Sequence, residues 1–398
     1  MELSYQEAAQ RVREEAQKAS CIEKCSIFDA SDRVVGETLC SPKSTPEYDT
    51  SAMDGYALSS MATEHASKDS PALFTVTATT AAGDKPYKNN LKSAIPPCVE
   101  IMTGAPFPED DQFDCCVPIE HVVKDKHISV LKPAQRFQHR RFAGGDFHEG
   151  DAIIHAGQRI LPQHIMALAS VGFAELPVLR RPRIAVFSTG SELKSGGLTH
   201  AHTIHDANGP YLTAMLRQWA DVDFKGVIRD DYEEMREAIT AAEYDIIVTS
   251  GAVSAGRCDL IPGLVQGIGG RTVFHKVAIK PGHPVFLSML PSQKAFFGLP
   301  GNPVAAAACA RFFVVPYIKA AQQQAPERPH YAHLQGDKCF RKEPDVFRPA
   351  VLTDQQVEIV HDHSPGKTKP FLGANCWVHV PGGVSELEKN SQIGIYSL

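Results

Sequence analysis

The passage from Arg183 to Val315 constrains the fold most, because short apolar runs alternate there with helical patterns. Strands are predicted over 184–187, 223–227, 245–249 and 295–298, and helices over 209–218, 232–242 and 304–315. Such alternation is typical of βαβ units around a parallel sheet. Ligands of parallel sheets bind beyond the carboxyl ends of the strands, so we expect a site where these strands end.

Three turns rich in glycine and proline lie within this passage. They are Thr249-Ser250-Gly251-Ala252-Val253-Ser254-Ala255-Gly256-Arg257-Cys258-Asp259, Lys280-Pro281-Gly282-His283-Pro284 and Gly298-Leu299-Pro300-Gly301-Asn302-Pro303. Glycine lets backbone N–H groups close around an anion, Lys280 adds a cation, and the third turn opens onto a helix N-terminus. Together they predict a site for a phosphate or another oxyanion, although any single loop is explained equally well as a tight turn.

Composition limits the classes of partner. The chain has 398 residues, a formal net charge of −6 and a pI near 6.3. This balance gives no general attraction to nucleic acid or to an anionic membrane, so neither is an expected partner. The apolar runs are broken well short of the ~20 residues of a membrane helix, and Met1-Glu2-Leu3-Ser4 begins no signal peptide, so we expect a soluble cytoplasmic protein.

Cysteine and histidine give no metal-site pattern. Ten cysteines without regular spacing predict reduced thiols. His200, His202 and His205 are interpreted as loop residues rather than metal ligands, because no second cluster accompanies them.

The remaining segments are a helix and several β-rich regions. Ser4, with Glu7 three residues later, forms a capping-box pattern that predicts a helix over 5–19. Runs over 73–78 and 115–119 predict a small β domain, and a helix is expected over 163–170. Runs over 356–361 and 376–380 predict a C-terminal β domain.

The three turns resemble the signature of the MoeA family, the molybdopterin molybdenumtransferases that include the E domain of gephyrin. That family typically has T-S-G-G-V-S-x-G-x-x-D, K-P-G-K-P and G-L-P-G-N-P. Further similarity lies in Pro46-Glu47-Tyr48-Asp49-Thr50-Ser51-Ala52-Met53-Asp54-Gly55-Tyr56-Ala57, in 101–105, in 141–146, and in 181–183 followed by Ser188-Thr189-Gly190-Ser191-Glu192-Leu193. These blocks occur in family order and cover nearly the whole chain, thinning only after 327.

The resemblance implies an α/β-plus-β class, with an elongated multidomain subunit that forms a homodimer. Its implied parts are a MoeA/MogA-like parallel-sheet α/β domain (1–20 and 176–325), a linker domain (21–45 and 138–175), an inserted β domain (46–137) and a C-terminal β domain (326–398).

The resemblance also implies the chemistry. The family binds adenylylated molybdopterin, cleaves its pyrophosphate link to AMP with Mg²⁺ or another divalent metal ion, and transfers molybdenum from molybdate to the dithiolene. The implied catalytic residues are Asp259, Glu192, Asp54, Lys280 and Lys276, with Asp259 and Glu192 as metal ligands. The implied substrate-binding residues are Thr103, Thr249, Ser250, Gly251, Ser254, Gly282, His283, Pro300, Gly301, Asn302 and Pro303. Asp54 and Thr103 are expected to reach the site across the dimer interface.

Structural explanations stay open for some of these residues. Asp259 alone would also suit a helix cap, and Lys276 would suit the solvated face of a strand. Ser254 and Asn208 are interpreted as cap and turn residues.

Four positions depart from the family pattern. His283 stands in place of the second lysine of K-P-G-K-P, Ala252 in place of the second glycine of T-S-G-G, and Gly145 and Ser191 in place of acidic residues. These changes leave open a diverged enzyme acting on another nucleotide or phosphate substrate. The gephyrin resemblance leaves open a non-catalytic dimeric scaffold, although the retained acidic and basic positions favour an enzyme.

Overall fold

A computed structural model describes residues 2–16, 21–88, 94–197, 202–252, 260–340, 344–361 and 364–398.

The α/β region is built on a six-stranded sheet. In spatial order its strands are Asp221–Ile228, Arg183–Thr189, Ile246–Ser250, Ala295–Leu299, Phe286–Met289 and Arg271–His275. The first four run parallel, as the alternating pattern predicts, whereas Phe286–Met289 runs antiparallel to both of its neighbours, Ala295–Leu299 and Arg271–His275. The predicted parallel sheet is therefore present as four strands of a mixed sheet. Only the short turn Pro291–Gln293 joins two of the strands, and a parallel connection needs a much longer crossover.

Helices cover both faces of this sheet. They are Asn208–Leu216, Tyr232–Ala241, Leu260–Gly267, and a continuous helical run in which Pro303–Cys309 and Val315–Ala321 flank the π-helical turn Ala310–Val314. Val186 and Val248 point into one hydrophobic core, while Phe187 and Ile247 point into the other. Burial on both faces explains why the strands are continuous apolar runs rather than alternating ones.

The N-terminal helix, Tyr5–Ala16, packs against the first of these cores. The predicted capping box is present, because the Glu7 carboxylate accepts hydrogen bonds from the Ser4 amide (2.9 Å) and hydroxyl (2.8 Å), and the Ser4 hydroxyl accepts one from the Glu7 amide (3.3 Å). Ala8, Val12 and Ala16 form its buried stripe. The predicted extension over 17–19 falls outside the described residues.

The helical run Pro303–Ala321 is long and apolar enough to cross a membrane by length and composition, contrary to the expectation from broken apolar runs. However, 83% of its most apolar stretch is buried within the protein. It also carries Arg311, whose buried guanidinium bonds Glu327 at 2.6 Å. These contacts are those of a core helix of the α/β region.

The inserted β region contains a second six-stranded sheet. In order, its strands are Cys115–Pro118, Gly55–Leu58, Pro97–Ile101, Ala72–Thr80, Ile128–Val130 and Val122–Lys124. Strand pairs lead to and from it: Thr50–Ser51 with Arg140–Arg141, Leu39–Cys40 with Ala152–Ile154, and Ile22–Ser26 with Glu175–Leu179. Helix Pro162–Ser170 packs beside these pairs, one residue longer than predicted.

The C-terminal region forms a seven-stranded sheet that also takes in two earlier segments. Its strands are Leu3–Ser4, Val277–Lys280, Asp345–Thr353, Gln356–Ile359, His330–Leu334, Gln392–Ser397 and Cys376–Val380. Two small ladders, Lys338–Cys339 with Glu386–Leu387 and Leu193–Lys194 with Ile204–His205, complete the described strands. The α/β-plus-β class is thus confirmed, while the domain boundaries and the elongated shape stay predictions.

Candidate functional site

Three strand ends of the α/β sheet meet at one edge. Ser188 pairs in register with Ser250, and Ser250 pairs with Leu299, so the turns that follow these residues lie side by side. They border a cavity of about 600 Å³. The expected convergence of strand-end turns is therefore present.

Glycine is required where the backbones of these turns come close together. Gly251 has φ of +110°, and a Cβ there would lie 2.4 Å from the Thr189 carbonyl oxygen. The Cβ position of Gly301 is 3.8 Å from the Gly251 Cα, an ordinary contact distance, so close approach alone does not require glycine there. Ala252, which stands in place of the second glycine of T-S-G-G, has φ of +52°. Its side chain is therefore held in the left-handed region, which glycine adopts without strain.

Asn208 ties two of the turns together from the start of helix Asn208–Leu216. Its side-chain Nδ2 donates to Ser250 Oγ and to the Gly301 carbonyl, both at 2.7 Å. The Ser250 hydroxyl donates to the Pro300 carbonyl at 3.2 Å. Sequence reasoning interpreted Asn208 only as a cap or turn residue and missed this link, although a polar residue opening a helix beside a strand end was a signal.

Three carboxylate residues also border the cavity: Glu192, Asp206 and Asp230. Asp206 accepts a hydrogen bond from Ser188 Oγ at 2.7 Å and one from the Gly209 amide at 3.1 Å. Asp230 accepts one from the Ser191 amide at 3.2 Å. Asp206 was missed from the sequence, because nothing in its local pattern distinguishes it from an ordinary helix cap.

The predicted metal ligands are Glu192 and Asp259. Glu192 borders the cavity, and its carboxylate lies against Gly190, where a Cβ would be 2.7 Å from Oε2. Asp259 and Ser254 lie outside the described residues. Among the residues that the structure does describe, no three His, Cys, Asp or Glu side chains are grouped as metal ligands.

The predicted cations lie on segment 276–285, a strand followed by a turn, which reaches the cavity through Pro284. Lys276 has φ of +69° and is half-buried, and Lys280 is exposed at the end of its strand. His283 Nε2 lies 2.5 Å from Glu2 Oε1. None of these three side chains lines the cavity among the described residues.

Gly282 has a packing role in that turn. Its φ is +110°, and a Cβ there would lie 2.4 Å from Cys309 Sγ in the core helix. A side chain at this position would therefore displace the turn.

Asp54 and Thr103 form a separate pair in the inserted β region. The Thr103 amide and hydroxyl both donate to Asp54 Oδ1, at 2.6 and 2.7 Å. These two hydrogen bonds, the backbone one first, hold the pKa of Asp54 below its ordinary value. Neither residue lines the α/β cavity of its own chain as described.

The remaining predicted binding residues divide between cavity and core. Pro300, Gly301, Asn302, Pro303, Ser250 and Gly251 line the cavity. Thr249 does not, because its side chain is buried in the sheet. A C-terminal turn that sequence reasoning missed also contributes, since the Val304 amide donates to the Pro365 carbonyl at 2.9 Å and Gly366 lines the cavity.

Family models match most of the chain. Residues 3–172 match the MoeA N-terminal region (domain I and II), and residues 185–320 match the probable molybdopterin binding domain. The fold and the strand-end cavity thus define a multidomain protein of the molybdopterin-binding class.

Full-length relatives make the assignment specific. The chain is 30% identical over 413 residues to a molybdopterin molybdenumtransferase of Synechococcus elongatus, with all of both chains covered. It is 31% identical over 405 residues to molybdopterin molybdenumtransferase 2 of Mycobacterium tuberculosis, with 98% of each covered. A crystal structure of the molybdopterin biosynthesis MoeA protein from Pyrococcus horikosii superposes with a TM-score of 0.83 at 27% identity, covering 100% of this chain and 99% of that one. The chain belongs to the MoeA, or molybdopterin molybdenumtransferase, family of enzymes, which confirms the resemblance and does not favour a scaffold.

Proposed function

We propose that this enzyme is a molybdenum insertase of molybdenum cofactor biosynthesis, acting in the cytoplasm. It binds adenylylated molybdopterin, releases AMP, and transfers molybdenum from molybdate to the dithiolene. The observation that carries the proposal is the meeting of three strand-end turns around a cavity bordered by carboxylates. Backbone amides of such turns suit phosphate oxygens.

The acidic lining supports a divalent metal. Glu192, Asp206 and Asp230 would repel a bare phosphate, so an anionic ligand needs a cation between it and these side chains. Mg²⁺ is commonly held by one or two carboxylates together with water and phosphate oxygens, and the residues fit that pattern without a ready-made cluster of three. When bound, the metal neutralises charge that develops as the phosphoanhydride is cleaved.

The chain's own groups then position the substrate. Asn208 holds the Ser250 and Gly301 turns at a fixed separation, so the part of the cavity wall that they form is pre-organised. Lys276 and Lys280, at the two ends of strand Val277–Lys280, supply positive charge for molybdate or phosphate.

We further propose that the active form is a homodimer in which Asp54 and Thr103 of one subunit complete the cavity of the other. The pair is exposed and pre-organised, and Asp54 stays ionised because two donors from Thr103 stabilise its charge. A second copy would therefore present a fixed carboxylate to the cavity.

Mixing two inactive variants tests the shared site. Asp54→Asn and Glu192→Gln are each expected to lose AMP release. Co-expression should restore about a quarter of wild-type activity, because about half of the dimers are mixed and one of their two sites is intact. A mixture that stays inactive while mixed dimers are shown by mass spectrometry would contradict a site built from both subunits.

A further inference from the structure

A second cavity lies at the opposite edge of the α/β sheet. It has a volume of about 690 Å³ and is bordered by residues at the beginnings of strands that end at the strand-end cavity. Arg183 begins one such strand, and Ile246 begins the next. Tyr317, near the C-terminal end of the core helix, and Gln322, directly after that helix, close one side. Its size is that of a site for a small organic ligand.

An ion pair forms one fixed wall. Arg180 donates to both oxygens of Asp245, at 2.9 and 2.8 Å, and the Arg183 amide donates to Oδ2 at 2.8 Å. Burial raises the pKa of Asp245, but the hydrogen bonds and charge of these two arginines outweigh it and hold the pKa below its ordinary value. Asp245 therefore stays ionised, and its charge is balanced by Arg180.

The remaining charges leave a positive excess. Lys294 Nζ donates to the Ala242 carbonyl at 2.7 Å, which fixes the ammonium at the cavity and leaves two of its three donors for other partners. The Arg183 guanidinium lies 5.0 Å from the ring centre of Tyr244. Glu243 is the one further carboxylate on the described lining, so two cations face one anion once the Arg180–Asp245 pair is set aside.

Neutral donors and apolar surface complete the lining. Burial raises the pKa of the Tyr317 hydroxyl, so that it stays protonated and can donate. Gln322 contributes a side-chain amide and is only 5% exposed. Leu179 and Ile246 are almost fully buried behind the lining, and the half-buried ring of Tyr244 offers the apolar surface nearby. Such a lining suits a molecule with a negatively charged, acceptor-rich end and a small apolar body.

We propose that this second cavity binds a small organic anion, with its phosphate or carboxylate group held by Lys294 and Arg183 and its apolar body against the ring of Tyr244. The site is separate from the strand-end cavity and requires no part of the proposed molybdenum chemistry.

Calorimetric titration of the full-length protein tests this proposal. The probes are phenyl phosphate and benzoate, which share a ring but differ in the oxyanion, and inorganic phosphate, which lacks the ring. We expect saturable binding of at least one ring-bearing probe, and binding at least fivefold tighter than that of inorganic phosphate. The preferred probe distinguishes a phosphate from a carboxylate ligand.

Variants locate the binding. Lys294→Gln should lower the affinity for the preferred probe at least tenfold. Tyr317→Phe, which keeps the ring packed on Phe297, should lower that affinity about threefold. Lys68→Gln, at an exposed site elsewhere, and Glu192→Gln should leave the affinity within twofold. Equal melting temperatures exclude misfolding as the cause. No saturable binding, or binding lost in Glu192→Gln but kept in Lys294→Gln and Tyr317→Phe, overturns the proposal and leaves the proposed function untouched.

Discussion

The imidazole Nε2 of His283 lies 2.5 Å from the Glu2 carboxylate, so the ring that replaces the family's second lysine already faces an anion. Both side chains are about half exposed, so solvent screens the ion pair and its contribution to stability is small. The Glu2 carboxylate nevertheless places a negative charge beside the imidazole of His283.

This pairing predicts a non-additive response to substitution. His283→Lys alone should change the molybdate dissociation constant less than about threefold, because Glu2 would also pair with the new ammonium. Glu2→Gln combined with His283→Lys should tighten binding about fivefold, as expected for one partly screened charge near an oxyanion. Titration of molybdate at pH 7 into the single variant, the double variant and the wild type measures the three dissociation constants. Equal tightening in the single and double variants would show that Glu2 does not affect molybdate binding.

Asn208→Ala should reduce kcat/KM for AMP release at least tenfold, because the Ser250 and Gly301 turns lose their shared donor. The free energy of unfolding should fall by about 1–3 kcal/mol, since a buried acceptor is left unpaired. Asn375→Ala is the matched control: its side chain bonds both backbone groups of Leu352 in the C-terminal sheet. It should cost stability without affecting AMP release, and an equal catalytic loss in both variants would remove Asn208 from the site.

Glycine substitutions separate a strained position from an open one. Gly251→Ala should destabilise the protein by about 1–3 kcal/mol, because the new Cβ would lie 2.4 Å from the Thr189 carbonyl oxygen at a positive φ. Gly263→Ala, in helix Leu260–Gly267 with no atom within 4 Å of the new Cβ, should stabilise it by about 0.5–1 kcal/mol. Urea unfolding of both variants checks the sign, and a neutral Gly251→Ala would contradict the close approach of the turns.

Much of the fold was predictable because local patterns decide it. Strand Cys376–Val380 begins and ends where the sequence predicts, and helix Tyr232–Ala241 falls one residue short of its predicted end. The parallel pairing of these strands follows from the βαβ pattern. The reversed strand Phe286–Met289 was not predicted, because apolar runs do not carry strand direction.

The site was predictable only in part, for a related reason. Each strand-end turn has a local signature, whereas Asn208, Asp206 and Pro365 act through contacts with residues far away in the chain. The pairing of His283 with Glu2 is of the same kind. The spacing of residues along the sequence does not predict such contacts, because they depend on how separate helices, strands and turns pack together.

Glu327 should make stability depend on pH. Burial raises its pKa, but hydrogen bonds and charge from Arg311 and Lys319 outweigh burial and hold the pKa below its ordinary value of 4.5. A depressed pKa means that this stabilisation is complete above about pH 4.5 and is lost as the pH falls through the folded-state value. Glu327→Gln should cost about 2–4 kcal/mol at pH 7, because Arg311 is left buried without a counter-charge, and less at pH 4. Urea unfolding of the wild type and Glu327→Gln at pH 7 and pH 4 measures the free energy of unfolding. An equal loss at both pH values would show that the charge of Glu327 does not contribute to stability.

The most direct test of the proposed function follows two products in one reaction. Purified protein is incubated with adenylylated molybdopterin and Mg²⁺, with and without molybdate, while AMP and active molybdenum cofactor are measured separately. We predict that both products appear together with molybdate, and that chelating the metal or changing Glu192 to Gln abolishes both. AMP release without any active cofactor at saturating molybdate, or no reaction with this substrate at all, would contradict an insertase and indicate a different substrate for the strand-end cavity.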